Sequence, residues 1–348
     1  MRDDASFTQD FAIFLTGLSL FLFTHSELVT LSDVVDRAIE GIGIALMGYA
    51  PIQLLLHLRE KWRKLKASRA LDRVMQSAVR PVRAINSLPI FITTDLEGCV
   101  TPPNRTAINL RKLQRLRGYC EFVKENRIYP QLIVFTGRSQ GYVEFLAQTL
   151  NMFESPIDLP FVIENGAALY HVNSKKTTCL LSEEQRELVQ SVRALLMDHF
   201  NDREFEPKAY MVTLNPVEPE AVDELRDRVT SVLGEKNMRS LVTISSTASA
   251  VDITPVGITK KEGLDNVLKY YPHEGEQLNY ERIVALGDSI SDLPILRIAG
   301  SSYCPAENVH PEVRKAIEKD FGSDHVINHS DIDFVAEVIH KECGVILL

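Results

Sequence analysis

The 348-residue sequence predicts an α/β fold, and three observations carry that prediction. Short apolar, β-branched runs alternate with segments whose apolar residues recur at helical spacing, the pattern of strands and crossover helices in a mostly parallel sheet. The chain is 45% apolar and 24% charged, which suits a packed protein rather than a disordered one. Its length exceeds the roughly 250 residues that one hydrophobic core usually organises, so two compact parts plus an appendage are expected.

Element by element, Leu88 to Thr94 reads as a buried strand. Thr106 to Asn126 reads as a helix, with Ile108, Leu113, Leu116, Cys120 and Val123 on one face. Gln131 to Phe135 is a strand, a helix follows to Asn151, and Phe161 to Ile163 is another strand. Ala167 to Val172 and Thr177 to Leu181 flank Asn173-Ser174-Lys175 as a hairpin. Ser182 with Gln185 predicts a capping box opening a helix to Asn201. Tyr210 to Leu214, a helix from Pro219 to Leu233, and Leu241 to Ser245 form an α+β insert. Arg282 to Leu286, Asp292 to Ala299 and Val326 to Asn328 return to strand–helix–strand. The expected organisation is an N-terminal helical region over 1–85, a core over 86–168 and 251–348, and the insert over 169–250.

The N-terminal part differs in composition. Phe11 to Thr24 and Gly41 to Leu56 carry no charge, each a little short of the ~20 apolar residues that span a bilayer. Arg59 to Arg83 then holds nine basic residues against Glu60 and Asp72, a local +7 that leaves −16 for the rest of a chain of net charge −9. A membrane hairpin, a helical pair lying on an anionic membrane surface, and a soluble helical appendage that buries its apolar faces against the body or against a second subunit of a homo-oligomer each fit this pattern. Residues 78–87, broken by Pro81, read as the linker to the body. The acidic bulk argues against nucleic acid as a partner. The five cysteines contain no C-x-x-C pair, which points to a reducing, cytoplasmic setting without zinc or a disulfide framework.

Four motifs hold residues suited to phosphate chemistry. Asp95 ends an apolar strand, Glu97 follows two residues on, and Gly98 lets the chain turn. A carboxylate there can attack phosphorus, and its neighbour can exchange protons. Thr136-Gly137-Arg138 closes the second strand at a helix start, where backbone N–H groups, a hydroxyl and a guanidinium can hold an anion. Lys260 begins a helix, an unfavourable place for a cation unless it neutralises something negative. Asp288 and Asp292 follow another buried strand and offer hard oxygens for magnesium. Each motif alone has an ordinary explanation as a turn, a helix cap or a solvated charge. Their order, each at a strand end or helix start, makes the combination specific.

Together they resemble the haloacid dehalogenase superfamily over Leu88 to Leu348, with details similar to its Cof-like, sucrose-phosphate phosphatase and mannosyl-3-phosphoglycerate phosphatase branch. Glu164-Asn165-Gly166-Ala167 is similar to that branch's signature before the cap, and Cys304-Pro305-Ala306-Glu307-Asn308 to its tail signature. The resemblance implies a Rossmann-like core with an inserted cap, Mg2+ as cofactor, and a small phosphorylated metabolite, a sugar phosphate or sugar phosphoglycerate, as substrate. It implies that Asp95 is the nucleophile and a metal ligand. Glu97 takes the acid/base position and ligates metal through its carbonyl. Thr136, Gly137, Arg138, Asn165 and Lys260 hold the phosphoryl group and substrate, and Asp288 and Asp292 bind the metal or its water. The chain departs from the pattern at Glu97 and Cys99, where the family has Asp and Thr, and at Ser291, where the branch commonly has Asn. The extra methylene of Glu97 moves its carboxyl by roughly 1–1.5 Å, and a 1 Å misplacement can cost about 100-fold in rate. Two alternatives follow: a fold kept for binding or scaffolding with little turnover, and a phosphosugar mutase.

Overall fold

The computed structural model describes residues 79–81, 88–102, 107–154, 158–215, 221–247, 250–270 and 280–347. The chain divides into two units, 1–73 and 74–348, and every described residue belongs to the second. The expectations for the apolar runs and most of the basic segment therefore lie outside the described residues. Among the described residues, no helix is long and apolar enough to cross a membrane.

The first described strand, β1 (Val79–Pro81), corrects one expectation. It lies where a linker was expected, and it pairs antiparallel with the last strand, Val79 opposite Leu347 and Pro81 opposite Val345. The core then follows the alternation read from the sequence: β2 (Phe91–Thr94), α1 (Leu110–Glu125), β3 (Gln131–Val134), α2 (Gln140–Thr149) and β4 (Phe161–Ile163). Helix α1 buries Leu113, Leu116, Cys120 and Val123, the face its spacing predicts, and Asn109 caps it by accepting from the N–H groups of Arg111 and Lys112.

The hairpin β5 (Ala168–His171) and β6 (Lys176–Cys179) pairs back onto β4. Leu169 and Tyr170 are buried in the main core, so this hairpin packs with the core where the insert was expected to begin. The insert's own elements are α3 (Glu183–His199), β7 (Glu204–Phe205), β8 (Val212–Asn215), α4 (Val222–Glu235), β9 (Val242–Ser246) and β10 (Val251–Pro255). The predicted capping box is present: the Ser182 hydroxyl accepts from Gln185 N–H at 3.2 Å, and the Gln185 side chain accepts from Ser182 N–H at 3.0 Å. The four strands form an antiparallel sheet in the order β7-β8-β10-β9. Strand β10 was expected in the core. It pairs between β8 and β9, and its Val251 and Ile253 pack into a second apolar cluster with Val192 and Leu196 of α3 and Val229 and Leu233 of α4. The insert thus returns to the core one strand later than residue 251.

The chain re-enters the core through α5 (Lys260–Leu268), β11 (Ile283–Leu286), α6 (Leu293–Leu296), β12 (Ser301–Pro305), α7 (Pro311–Asp320), β13 (Val326–Ile327), α8 (Asp331–Cys343) and β14 (Val345–Leu347). The central sheet is parallel with order β13-β12-β11-β2-β3. Strands β2, β3 and β11 are buried at every position, as expected for parallel strands covered on both faces. Their register sets the site. Thr94 pairs with Leu286 on one side and Val134 on the other, so the three strands finish level. The residues that follow them are delivered side by side at the carboxyl edge, where sites of open α/β sheets form.

A chain lacking residues 1–73 is expected to fold as the described body. Extending the deletion through Arg83 also removes β1, and the expected result is a lower Tm than the shorter truncation, read by thermal unfolding of both proteins.

Candidate active site

Asp95, Thr136 and Asp288 emerge from the ends of β2, β3 and β11 into one cavity of about 610 Å3 that the insert also lines. Asp95 directs Oδ1 at the Leu96 N–H (2.8 Å) and at Lys260 Nζ (3.2 Å). Lys260, the first residue of α5, is only 1% exposed and also reaches Asp292 Oδ1 at 2.6 Å. The other oxygen of Asp292 accepts from the N–H groups of Asp288 (3.1 Å) and Ser289 (2.9 Å) and from the Ser289 hydroxyl (2.8 Å). Gly98 follows the nucleophile-like Asp with φ +76, and a Cβ there would collide with the Asp288 carboxylate. The turn therefore needs glycine both for its backbone and for space.

Three buried or half-buried carboxylates, Asp95, Asp288 and Asp292, thus face a single lysine, with ligand oxygens within 4.8 Å of one another. Burial raises Asp95 to about 7 against the pull of Lys260, and Asp292 adds to the rise. Burial, then Asp95 and Asp292, also raises Asp288 well above the usual carboxylate range. Burial would lower Lys260, but Asp292 and Asp95 outweigh it and the ammonium is held charged. The cluster carries more negative charge than its lysine neutralises. A hard divalent cation with oxygen preference fits such a donor set.

On the other side of Asp95 lies the Thr136 loop. Thr136 is buried, its N–H bonds the Val162 carbonyl (2.9 Å), and its hydroxyl accepts from Arg138 N–H (3.1 Å). Arg138 pairs with Glu97 and, at 3.3 Å, with Glu206 of the insert, while its guanidinium sits 5.5 Å from the centre of the Tyr142 ring. Its Nε is buried without a hydrogen-bond partner. Asn165, on the turn after β4, donates to Asp252 Oδ2 at 3.2 Å.

All nine residues singled out from the sequence converge here. Asp95, Glu97, Thr136, Gly137, Arg138, Asn165 and Asp288 line the cavity; Lys260 and Asp292 are buried in contact with Asp95 and with each other. The side chain of Glu97 does not join the carboxylate cluster and pairs with Arg138. The tail signature brings Asn308 to the same cavity, and the sequence reading missed Glu206, Lys208, Thr213 and Asp252, which also line it. Asp252 carried a usable signal, a lone carboxylate inside the apolar β-branched run Val251-Asp252-Ile253. Lys208 and Glu206 carried none, because the short strand β7 and the turn after it have no periodic pattern.

The model of the haloacid dehalogenase-like hydrolase family matches residues 183–339, which spans the insert and the second half of the core. A phosphoglycolate phosphatase of Methanopyrus kandleri is 28% identical over 222 residues, covering 63% of this chain and 86% of that protein. Among solved structures, the Thermoplasma acidophilum protein 0175 superposes with a TM-score of 0.52 at 18% identity, covering 73% of this chain and 98% of its own. The sucrose-phosphatase of Synechocystis, solved with sucrose and phosphate, gives a TM-score of 0.51 at 18% identity with the same coverages. Residues 183–339 thus match the haloacid dehalogenase-like hydrolase family, and the fold and the order of motifs around the carboxylate cluster are similar to those of its members.

Proposed function

We propose that this protein is a magnesium-dependent phosphatase that cleaves a small phosphorylated metabolite through an aspartyl-phosphate on Asp95. The observation that carries the reading is the buried cluster of Asp95, Lys260, Asp288 and Asp292 beside the Thr136 loop. The phosphatase names of relatives support the same class. The sugar phosphate or sugar phosphoglycerate assignment rests on the motif resemblance, and the hydroxyl- and carboxylate-rich lining of the cavity suits a polar, hydroxylated substrate.

Asp95 has one oxygen engaged by Leu96 and Lys260 and the other available to attack phosphorus. As the new P–O bond forms, the bond from phosphorus to the leaving oxygen breaks, and that oxygen takes a proton from the Glu97 carboxyl. Water then attacks the phosphorus of the aspartyl-phosphate and gives a proton to the Glu97 carboxylate, and the P–O bond to Asp95 breaks to release phosphate. Thr136 and the Arg138 Nε supply donors to the phosphoryl oxygens, and Lys260 holds positive charge beside them. A bound magnesium ion would neutralise charge on the transferring group. Both oxygens of Asp292 are occupied by Lys260 and by Asp288, Ser289 and its hydroxyl, so Asp95 and Asp288 are the better direct ligands and Asp292 an indirect one.

Arg138 complicates the role of Glu97, since its guanidinium engages the carboxyl that would have to reach the leaving oxygen. A phosphate arriving at Arg138 competes for the same guanidinium and loosens that hold. The same ion pair supports the second reading, a binding protein with little turnover.

Asp95→Asn is expected to abolish magnesium-dependent phosphate release across a panel of phosphorylated metabolites, by more than about 1,000-fold in kcat. Equal activity in the variant would sink the mechanism, and a wild type inactive on every metabolite with Glu97→Asp active would favour the binding reading. A second expectation concerns pH. Folded Asp95 keeps its proton to about pH 7, while the unfolded carboxyl releases it near 3.8, so the folded state holds the extra proton between those values. Stability carried by that proton is full below about pH 4 and is lost as pH rises through 7, to an extent of about 4 kcal/mol. With chelator present, Asp95→Asn should gain on wild type in denaturant titrations between pH 5 and pH 8. Added Mg2+ should shrink that gain by stabilising the wild-type carboxylate.

A further inference from the structure

The turn after β4 joins the core to the insert by hydrogen bonds and has an unusual backbone conformation. Glu164 (φ +50), Asn165 (φ +56) and Gly166 (φ +102) are consecutive left-handed residues. Only the last is glycine, so the surroundings must hold the other two in place. What holds them differs between neighbours. Asn165 reaches Asp252 of β10, whose other oxygen accepts from the Thr213 hydroxyl at 2.6 Å. Glu164 is buried, and its carboxylate accepts three successive backbone N–H groups of the insert, from Ala209 (3.0 Å), Tyr210 (2.6 Å) and Met211 (3.1 Å). A buried carboxylate gathering three backbone donors from another segment is a specific fastening, because those donors have no nearby substitute once it is gone.

The fastened segment carries the insert's contribution to the cavity. Lys208 sits immediately before the three gripped residues. Its ammonium donates to Thr213 Oγ1 at 2.7 Å and lies 3.2 Å from Glu206 and 3.5 Å from Asp252. Glu206 in turn pairs with Arg138. The core side is just as tightly joined: Glu164 N–H bonds the Arg138 carbonyl (3.2 Å), and Asn165 N–H bonds the Thr136 carbonyl (3.0 Å). The loop expected to hold phosphate and the turn that grips the insert are one hydrogen-bonded unit.

We infer that Glu164 is a positioning residue: by holding the backbone of residues 209–211 it sets Glu206, Lys208 and Thr213 over the Thr136–Arg138 loop, and so fixes the substrate-selecting wall of the cavity. Glu164 touches neither the nucleophile nor the expected phosphate position, so its effect falls on substrates that reach the insert. The catalytic half of this statement rests on the phosphatase reading; the structural half does not.

The test uses Glu164→Ala and Glu164→Gln in the full chain. Amide hydrogen exchange in peptides spanning 206–213 should quicken at least tenfold in Glu164→Ala, with peptides of β2 and β11 unchanged. Glu164→Gln, which keeps one acceptor oxygen, should fall between that variant and wild type. In steady-state assays, kcat/KM for the best metabolite of the panel should drop at least tenfold, mainly through KM. Turnover of p-nitrophenyl phosphate, whose leaving group makes few demands on the insert, should stay within about threefold. Unchanged exchange over 206–213 in both variants overturns the inference, and so does an equal loss of kcat on both substrates. Should Glu164→Ala fail to fold, Glu164→Gln decides by the same two readouts. Should no phosphate ester be turned over by wild type, the phosphatase reading fails while the exchange result still judges the fastening.

Discussion

The buried ammonium of Lys260 is the interaction on which the rest of the site depends. A lysine at the first position of a helix meets the positive end of the helix dipole, and burial adds a desolvation cost of several kcal/mol. Both costs are offset by Asp95 at 3.2 Å and Asp292 at 2.6 Å. The dependence is mutual, since Lys260 is what draws the raised Asp95 and Asp288 carboxyls back towards ionisation. Two glycines make the contact geometrically accessible. A Cβ on Gly263 would run into Val162, and one on Gly166 would run into the Thr259 carbonyl. Helix α5 can therefore lie close against β4 and its following turn, close enough for Lys260 to pass beneath Asp95. A packing requirement between a helix and a strand end is what puts a positive charge beside Asp95.

The parallel sheet supplies the other half of the arrangement. Because β2, β3 and β11 end in register, short polar side chains suffice to converge: Asp95, Thr136 and Asp288 need no long reach and lose little rotamer freedom. Long side chains enter only where two parts of the molecule meet, as with Arg138, Glu97, Glu206 and Lys208. The rigid part of the site is built on strand ends, and the adaptable part is built on ion pairs between core and insert.

That division also governs what was legible in the sequence. Buried parallel strands read plainly as apolar β-branched runs, and the residues after them were the site. The capping box at Ser182 and the glycine turn at Gly98 follow from local chemistry and were equally readable. Strand β10 was misassigned because pairing, not composition, decides which sheet takes Val251–Pro255, and its antiparallel neighbours β8 and β9 are set by long-range register. Strand β1 hid behind Pro81, which breaks a helix but sits comfortably at the end of a short strand that pairs, among the described residues, with β14 alone. Lys208 and Glu206 acquire meaning only from Asp252 and Arg138, residues far away in the sequence, so no local pattern marks them.

Glu97 shows how one methylene can change a site's logic. An aspartate at that position carries its carboxyl closer to the backbone; the longer glutamate reaches the guanidinium of Arg138, which is bound in turn to Glu206. Glu97, the loop expected to hold phosphate and the insert then share one cation. Any anion that engages Arg138 loosens its hold on Glu97 and on Glu206 together, because one guanidinium has a fixed number of donors to divide among its acceptors. Glu97, the Thr136 loop and the insert are thereby tied through a single side chain. The residue that departs from the pattern the chain resembles is, in its own surroundings, part of what fastens the insert to the core.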